Sequence, residues 1–419
     1  MKKESIIALI NKYVVAQNTI PESEAHLSNI TTNLQKAEPA DIVFYKIRNN
    51  EKSIEEFTKR LGSRKPGLLI INTGSENFVK QDGCLFIEED KFLIVQKILL
   101  DEIFPNKNKL KIVGVTGTNG KTTTVNLAMH ISTMAGFPAI SVGTIGVLDV
   151  NGEIHNDLES TTPSYVEFRK IIYKFQDKYS VCFVEVSSHA LEQNRLNDIR
   201  LDAGAWTSFS QDHLDYHKTM DEYFEAKMKL ENILSAGSKI IVPDQEKELY
   251  QLILKKHPNA NVKVAKTLEE RGFSHKPLFY HSSYNQSNAE CAFELNQDLW
   301  GDDKLKKIKL EDIKTPNGRF SIIELENHSM AVVDYAHTPD ALLNIGSAIK
   351  SAFPKHKLTV IFGCGGNRDK TKRPLMGKAV ASFADKVIVT SDNPRDEAPE
   401  DIILDIIKGI PTSYEAVVD

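Results

Sequence analysis

Lys111-Ile-Val-Gly-Val-Thr-Gly-Thr-Asn-Gly-Lys-Thr-Thr-Thr124 sets a β-forming run, a glycine-rich turn and a helix start in direct succession. That order is what a phosphate-binding loop needs: a strand delivers the chain to a turn whose backbone N–H groups point outward, and the helix that follows adds its N-terminal dipole. Gly117 and Gly120 free the turn from side-chain clashes, Lys121 adds a point charge, and the Thr122 hydroxyl suits Mg²⁺. The strict form of the pattern has glycine where this chain has Val115. A plain glycine turn before a helix would use the same letters. Strand, lysine and hydroxyl nevertheless agree in order and spacing, so nucleotide binding is expected over Gly117, Thr118, Asn119, Gly120, Lys121, Thr122 and Thr123.

Outward from that loop, β-forming runs alternate with helical stretches: Lys111 to Val115, then Thr122 to Ala135, Val181 to Val186, and Lys239 to Val242. The alternation predicts an α/β sheet with crossover helices. A second series, with strands over Met330 to Val333, Leu358 to Phe362 and Lys386 to Thr390 and helices over Pro339 to Ala352 and Pro374 to Phe383, predicts a separate domain. The charged stretch Asp302 to Asn317, closing in Thr315-Pro-Asn-Gly318, reads as the linker and hinge between them. Before the loop, short apolar runs (Asp41 to Phe44, Leu68 to Ile71, Phe92 to Val95) suggest a small α/β domain. Ile6, Ile10 and Val14 fall at helical spacing and predict an amphipathic first helix. The expectation is an α/β chain in three domains, 1–104, 105–315 and 316–419.

Lys plus Arg number 52 against 57 Asp plus Glu, a formal charge of −5, so the global basic field of a nucleic-acid binder is excluded. Cys84, Cys182, Cys291 and Cys364 lie far apart without CxxC spacing and read as buried reduced thiols rather than a disulfide frame or zinc knuckle. The apolar run after Met-Lys-Lys is cut by Asn11 and Lys12, and no run approaches the roughly 18 apolar residues of a membrane span. A cytoplasmic monomer without membrane insertion is expected.

Further stretches follow in order: Glu185-Val-Ser-Ser-His-Ala-Leu191, Asp212-His-Leu-Asp-Tyr-His217, Tyr223-Phe-Glu-Ala-Lys227, Asp334-Tyr-Ala-His-Thr-Pro-Asp340 and Asn367-Arg-Asp-Lys-Thr-Lys-Arg-Pro-Leu-Met376. Together with Gly117 to Thr123 they resemble the Mur ligases, relatives of the folylpolyglutamate synthetases, and within them the MurE type, from about Lys111 to Pro399. The resemblance implies a small N-terminal α/β domain for the UDP-linked substrate, a central P-loop ATPase-like domain and a Rossmann-like C-terminal domain. It also implies a reaction. ATP, with Mg²⁺, phosphorylates the terminal carboxylate of UDP-N-acetylmuramoyl-L-alanyl-D-glutamate, and the amine of meso-diaminopimelate displaces phosphate. Such chemistry asks for charge neutralisation and alignment more than for a strong nucleophile.

Glu185 ends an apolar strand run, so its carboxylate should emerge at the C-terminal edge of the sheet, where ligands of α/β folds gather. By resemblance it holds Mg²⁺ with Thr122 and His213, although imidazole is not a favoured donor for that ion. Lys227 taken alone is a solvated helix lysine; the resemblance makes it a carbamylated one, catalytic together with Lys121, Glu185 and His213. Thr161 and Thr162, otherwise a helix cap before Pro163, become contacts to the muramyl peptide, with Ser187, Gln193 and Arg195. A surface ion pair is the plain alternative for Arg195. Arg319, Asp334, Tyr335 and His337 are similar to residues that close the C-terminal domain over ATP, Asp334 and His337 being otherwise a cap before Pro339. Asn285 and Asn288 match a stretch near the adenine.

Ser391-Asp-Asn-Pro-Arg395 would alone be a strand-end turn. By resemblance Asp392, Asn393 and Arg395 are a diaminopimelate signature, with Arg395 and Arg368 gripping carboxylates; L-lysine, lacking the distal one, would leave a buried guanidinium unpartnered. Two departures stand out. Leu34-Gln35 and Pro39-Ala-Asp41 replace the family's Ser-Arg pair and Pro-Gly-Asp turn, and the sequence ends at Asp419 before a Gly-Lys-Gly-His-Glu segment, so the C-terminal domain is expected to be incomplete relative to the family. The rival readings are an L-lysine-adding, other Mur-type or folylpolyglutamate-type ligase, an idle nucleotide-sugar-binding homologue, and a P-loop ATPase that needs no acceptor.

Overall fold

Five short strands in the first hundred residues, β1 (Val14–Gln17), β2 (Asn29–Thr31), β3 (Asp41–Tyr45), β4 (Leu68–Asn72) and β5 (Cys84–Ile87), form a sheet of order β1-β5-β4-β3-β2, parallel except for β1. β4 and β5 are buried along their whole length, which is why they read as continuous apolar runs rather than as alternation. The run beginning at Phe92 is the start of a helix, Phe92–Ile103, whose buried residues Phe92, Val95, Gln96, Leu99 and Leu100 keep helical spacing. The first helix, Lys3–Ile10, buries Ile6 and Ile10 as expected. Val14 does not continue it, because a 3₁₀ turn at Asn11–Tyr13 ends the helix and Val14 opens β1.

This is a computed structural model, and it describes residues 1–21, 26–48, 50–155, 158, 160–326 and 329–418. The chain divides into two units, Met1–Leu110 with Pro163–Lys178 and Lys111–Thr162 with Tyr179–Asp419.

The second unit is built on β6 (Lys111–Thr116), β7 (Ala139–Gly143), β8 (Gly146–Asp149), β9 (Gly152–His155), β10 (Val181–Glu185), β11 (Ala203–Trp206), β12 (Ile240–Val242) and β13 (Val262–Val264). Their order is β13-β12-β11-β6-β10-β7-β8-β9, so the strand that feeds the glycine loop lies well inside the sheet. The strands from β13 to β7 run parallel, as the strand–helix alternation predicts. β8 and β9 then fold back antiparallel, an extension that the alternation does not predict. Two helices, Lys121–Met134 and Ser283–Trp300, pack against each other, and the Asn296 amide donates to the Ala128 carbonyl at 3.0 Å. Val113, Val115, Val125, Met129, Phe183, Ala205 and Phe293 fill the core, each large apolar side chain there stabilising by about 1.5–3 kcal/mol.

The stretch read as a linker is anchored: Leu305, Ile308, Leu310 and Ile313 are buried in that same core, while the charged residues between them face outward. Beyond Gly318 come an antiparallel pair, β14 (Ser321–Glu324) and β15 (Met330–Val333), and a parallel sheet of β16 (Thr359–Phe362), β17 (Lys386–Thr390) and β18 (Glu415–Val417). Helix Pro339–Ala352 begins at a Thr338 cap with proline in its first turn, and the next helix, Lys372–Ala381, starts two residues before the predicted Pro374. All four cysteines are buried and free. Among the described residues no helix is long and apolar enough to cross a membrane.

Candidate functional site

The loop between β6 and helix Lys121–Met134 has the backbone its glycines permit, with φ of +149° at Gly117 and +87° at Gly120. Neither position has room for a side chain, since a Cβ on Gly117 would lie 2.0 Å from Thr207 Oγ1 and one on Gly120 2.2 Å from Asn288 Oδ1. The loop is pinned from the β11 side. Asn119 N–H donates to Ser208 Oγ at 2.9 Å, and the Thr118 hydroxyl donates to the Ser210 carbonyl at 3.1 Å.

Glu185 ends β10 at the register of Val115, so its carboxylate meets the loop from the neighbouring strand. Its side chain is almost fully buried, and Oε1 accepts from the Thr122 hydroxyl at 2.9 Å and from Thr144 N–H at 2.8 Å. Gly143 leaves the space for it, because a Cβ there would lie 2.0 Å from Oε1. Burial raises the Glu185 carboxyl, with Lys121 and the two hydrogen bonds pulling the other way. Arg319 reaches the same point from beyond Gly318, donating from Nη2 to Thr122 Oγ1 at 3.1 Å with its guanidinium 4.3 Å from the Tyr335 ring centre.

Two lysines converge on one carbonyl. Lys121 donates to Gly117 O at 2.8 Å and to Thr118 O, and Lys227 donates to the same Gly117 oxygen at 2.8 Å. Lys227 is 1% exposed, so the solvated-lysine reading fails; helix Met220–Met228 turns it inward over the Tyr223 ring, 4.5 Å away. Burial, then the charge of Lys121, holds its ammonium well below the usual lysine range.

His213 has a left-handed backbone (φ +56°) that aims its ring at a cluster with His189 (4.9 Å between ring centres) and Tyr223 (6.1 Å). Burial pushes it down to about 3, so it is neutral. No contact joins it to Thr122 or Glu185 within hydrogen-bond distance, and among the described residues no group of three or more His, Cys, Asp or Glu side chains forms a ready metal cage. Thr122 and Glu185 alone are brought together. A hydroxyl and one carboxylate still suit Mg²⁺, which takes few protein oxygens and fills its remaining positions with phosphate and water. Asp212, missed as a contributor in its own right, accepts from Lys372 Nζ at 3.1 Å and faces His337 at 3.7 Å. Burial opposes its ionisation, but His337 and the Lys372 ammonium outweigh that and hold the carboxyl well below the usual range.

A cavity of about 240 Å³ opens beside the loop, lined by Asn119, Gly120, Thr123, Asn288, Arg319, Asp334 and Tyr335, among others. Asp334 is not the cap of the following helix: it accepts from Phe320 N–H at 2.7 Å and Ala336 N–H at 2.8 Å, and Thr338 caps the helix. His337 Nδ1 instead pairs with the Tyr335 carbonyl. Asn285 is buried with its amide on the Phe279 carbonyl, and Asn288 is the asparagine that faces the cavity.

The second group of expected contacts is also assembled. Thr162 donates to the Glu185 carbonyl at 2.8 Å and accepts from Ser187 N–H, and Thr161 accepts from Thr144 Oγ1 at 3.2 Å. Arg195 binds Ser160 Oγ, the Thr162 carbonyl and Gln193 Oε1, so its partners are neutral groups rather than a surface carboxylate. Ser164, not the two threonines, caps the helix after Pro163. On the C-terminal part, Arg368 and Arg395 lie in the loops after β16 and β17, and Asp392 and Asn393 are exposed beside them. Both arginines are exposed, which corrects the expectation of a buried guanidinium. Thr144, Gly143 and Lys372 were missed; only Lys372, inside a motif already singled out, carried a sequence signal.

Two family models match the chain, the Mur ligase middle domain over residues 115–298 and the Mur ligase, glutamate ligase domain over 318–419. The UDP-N-acetylmuramoyl-L-alanyl-D-glutamate–2,6-diaminopimelate ligase of Rickettsia bellii (strain RML369-C) is 36% identical, the match covering 94% of this chain and 86% of that protein. The ligase of the same name from Clostridium perfringens (strain 13 / Type A) is 35% identical over 82% of this chain and 76% of its own length. Among solved structures, a ligase of that name superposes with a TM-score of 0.57 at 23% identity, covering 95% of this chain and 87% of the other. MurF from Acinetobacter baumannii gives 0.63 at 13% identity, covering 99% and 89%. At these identities the superpositions speak for the fold.

Proposed function

The chain belongs to the Mur ligase family, and on that premise we propose that it joins meso-diaminopimelate to UDP-N-acetylmuramoyl-L-alanyl-D-glutamate, with ATP as phosphoryl donor. The observation that carries the ligase reading is the meeting of Thr122, Glu185 and Arg319 at the glycine loop, with Lys121 and Lys227 on one carbonyl beside it. In the first step the γ-phosphoryl group passes from ADP oxygen to the substrate carboxylate, giving an acyl phosphate. In the second the amine nitrogen attacks the carbonyl carbon, the C–O bond to phosphate breaks, and the nitrogen loses a proton as the amide forms.

The loop N–H groups cradle phosphate oxygens, and Lys121, only 2.8 Å from its own loop carbonyl, turns its ammonium onto them. Mg²⁺ held by Thr122 and Glu185 neutralises phosphate charge when bound. Arg319 joins the C-terminal part to that centre and keeps water from the acyl phosphate. Burial and the charge of Lys121 favour the unprotonated amine of Lys227, the form that adds CO₂; the carbamate that follows loss of a proton would put a carboxylate where an ammonium stands. Thr161, Thr162, Ser187, Gln193 and Arg195 present hydroxyl, amide and guanidinium groups to the muramyl peptide. Arg368 and Arg395 take the carboxylates of the incoming amino acid. A tripartite working division accompanies this reading, with UDP-substrate, ATP and amino-acid parts following one another along the chain.

Phosphate release with ATP and the UDP-muramoyl dipeptide, measured with each candidate amino acid in turn, tests the proposal. Release that needs both the dipeptide and diaminopimelate supports it. Faster incorporation of L-lysine would reassign the amino acid, and release without any acceptor would favour a plain ATPase.

A further inference from the structure

Arg395 presents only one edge of its guanidinium, and the reason lies across the loop. Its Nη1 donates to the Gly366 carbonyl at 2.8 Å and, more weakly, to the Asn393 carbonyl at 3.4 Å. Among the described residues Nε and Nη2 have no partner. The Nε–Nη2 edge is one that pairs two parallel bonds with a carboxylate. Arg395 itself has a left-handed backbone (φ +52°), which turns its side chain back over the loop after β16.

The floor under that side chain is Gly365. A Cβ built there would lie 2.8 Å from Arg395 Nη1 and 3.9 Å from Arg368 Cγ, so the missing side chain opens the space between the two arginines. The Gly365 backbone is not free to yield. Its carbonyl accepts from Arg373 Nη2 at 3.4 Å, Arg373 is clamped by Glu397 and Asp405, and the next residue is tied by Gly366 N–H to the Asn393 carbonyl at 2.9 Å. Nor does the position need glycine for its own conformation, since Gly365 is absent from the positive-φ residues. A methyl group at 365 therefore fits the backbone and moves the one flexible neighbour, the guanidinium.

Resting on the proposed reaction, we infer that Gly365 is a specificity-positioning residue: its bare Cα seats Arg395 Nη1 on the Gly366 carbonyl and leaves the Nε–Nη2 edge aimed at the distal carboxylate of diaminopimelate. L-lysine has no such group and is indifferent to the seat.

The test compares kcat/KM for meso-diaminopimelate and for L-lysine in the wild-type chain, Gly365→Ala, Arg395→Ala and the double variant. Loss of one charge-assisted contact corresponds to about tenfold or more, so Gly365→Ala lowers the diaminopimelate-to-lysine ratio by at least that factor. In the Arg395→Ala background the same substitution moves the ratio by less than about twofold, because the group it displaces is gone. An unchanged ratio in Gly365→Ala, or an equal effect in both backgrounds, overturns the seat while leaving the ligase reading intact. A wild-type chain that ligates no diaminopimelate overturns the functional reading and the seat together.

Discussion

Replacing Lys372 by Met tests how the glycine-loop region is held to the C-terminal part. Lys372 and Asp212 have side chains 10% and 5% exposed, with their charged atoms 3.1 Å apart and 160 residues between them in the chain. At that distance an effective dielectric of about 20 gives roughly 5 kcal/mol of attraction, and removing one partner of a buried pair costs about 3–5 kcal/mol because the other charge is stranded. Both side chains keep a little solvent contact, so a loss of about 2–3 kcal/mol, at and below the low end of that range, is expected. In a unit of this size each kcal/mol shifts Tm by about 2 °C, so Lys372→Met melts about 4–6 °C lower at neutral pH. The double variant Asp212→Asn/Lys372→Met, which strands no charge, recovers more than half of that loss. Since the folded protein holds the Asp212 carboxyl below its usual range, the bridge stabilises at neutral pH and its contribution fades as acid protonates the group. The gap between wild type and Lys372→Met therefore narrows below about pH 4. A Lys372→Met melt within 1 °C of wild type, or a double variant no better than the single, refutes the reasoning.

Glu185→Gln should separate stability from activity. Burial raises the folded carboxyl, so ionised Glu185 destabilises the nucleotide-free protein as pH rises through its folded pKa, and the neutral amide removes that burden. A gain of about 1 kcal/mol in thermal melting at pH 8, vanishing in acid, should accompany a loss of ligation of about 10²-fold or more in a phosphate-release assay. Lys227→Ala should abolish ligation to a similar degree, and added bicarbonate or a short carboxylate should restore part of it; undiminished turnover in the variant would remove Lys227 from the mechanism.

The parts of this fold that sequence reveals are those fixed by neighbours in the chain. Strand, glycine turn and helix follow one another over Lys111 to Thr124, and each signal is local, so β6 and its helix appear within a residue of where the pattern puts them. The β7–β8 turn, Gly143-Thr-Ile-Gly146, lacks the Asn-Gly or Asp-Gly pair that marks a hairpin, whereas the β8–β9 turn carries Asn151-Gly152, a local signal that reading strand–helix alternation passes over. Val14 escaped for the opposite reason: helical spacing continues on paper past Ile10, but the backbone does not. The site divides the same way. Glu185 could be found from its place at a strand end, whereas the shortest bond from Thr144 to it comes from a backbone N–H that any residue but proline could supply, with the hydroxyl adding a longer one at 3.3 Å. Gly143 has meaning only once the carboxylate beside it is known.

The lysines explain why burial could not be read from the helix they occupy. Helix Met220–Met228 buries Tyr223, Phe224, Ala226, Lys227 and Met228 together, more than a single stripe, because it lies against the glycine loop and the β11 edge at once. Lys227 thus enters a dry region already holding Lys121, and both ammonium groups turn to the Gly117 oxygen as the available acceptor. Burial lowers both, and the charge of Lys121 lowers Lys227 further. A triphosphate on the loop would relieve the conflict by drawing Lys121 onto phosphate oxygens and leaving the carbonyl to Lys227 alone. Nucleotide affinity should then depend on Lys227 although Lys227 need not touch the nucleotide: with no second cation to contest Gly117, Lys121 in Lys227→Met loses the incentive to leave it. Weaker binding of a non-hydrolysable ATP analogue to Lys227→Met, by calorimetry in carbonate-free buffer, is the expected result, and unchanged affinity would mean that the two lysines share an oxygen without sharing an equilibrium.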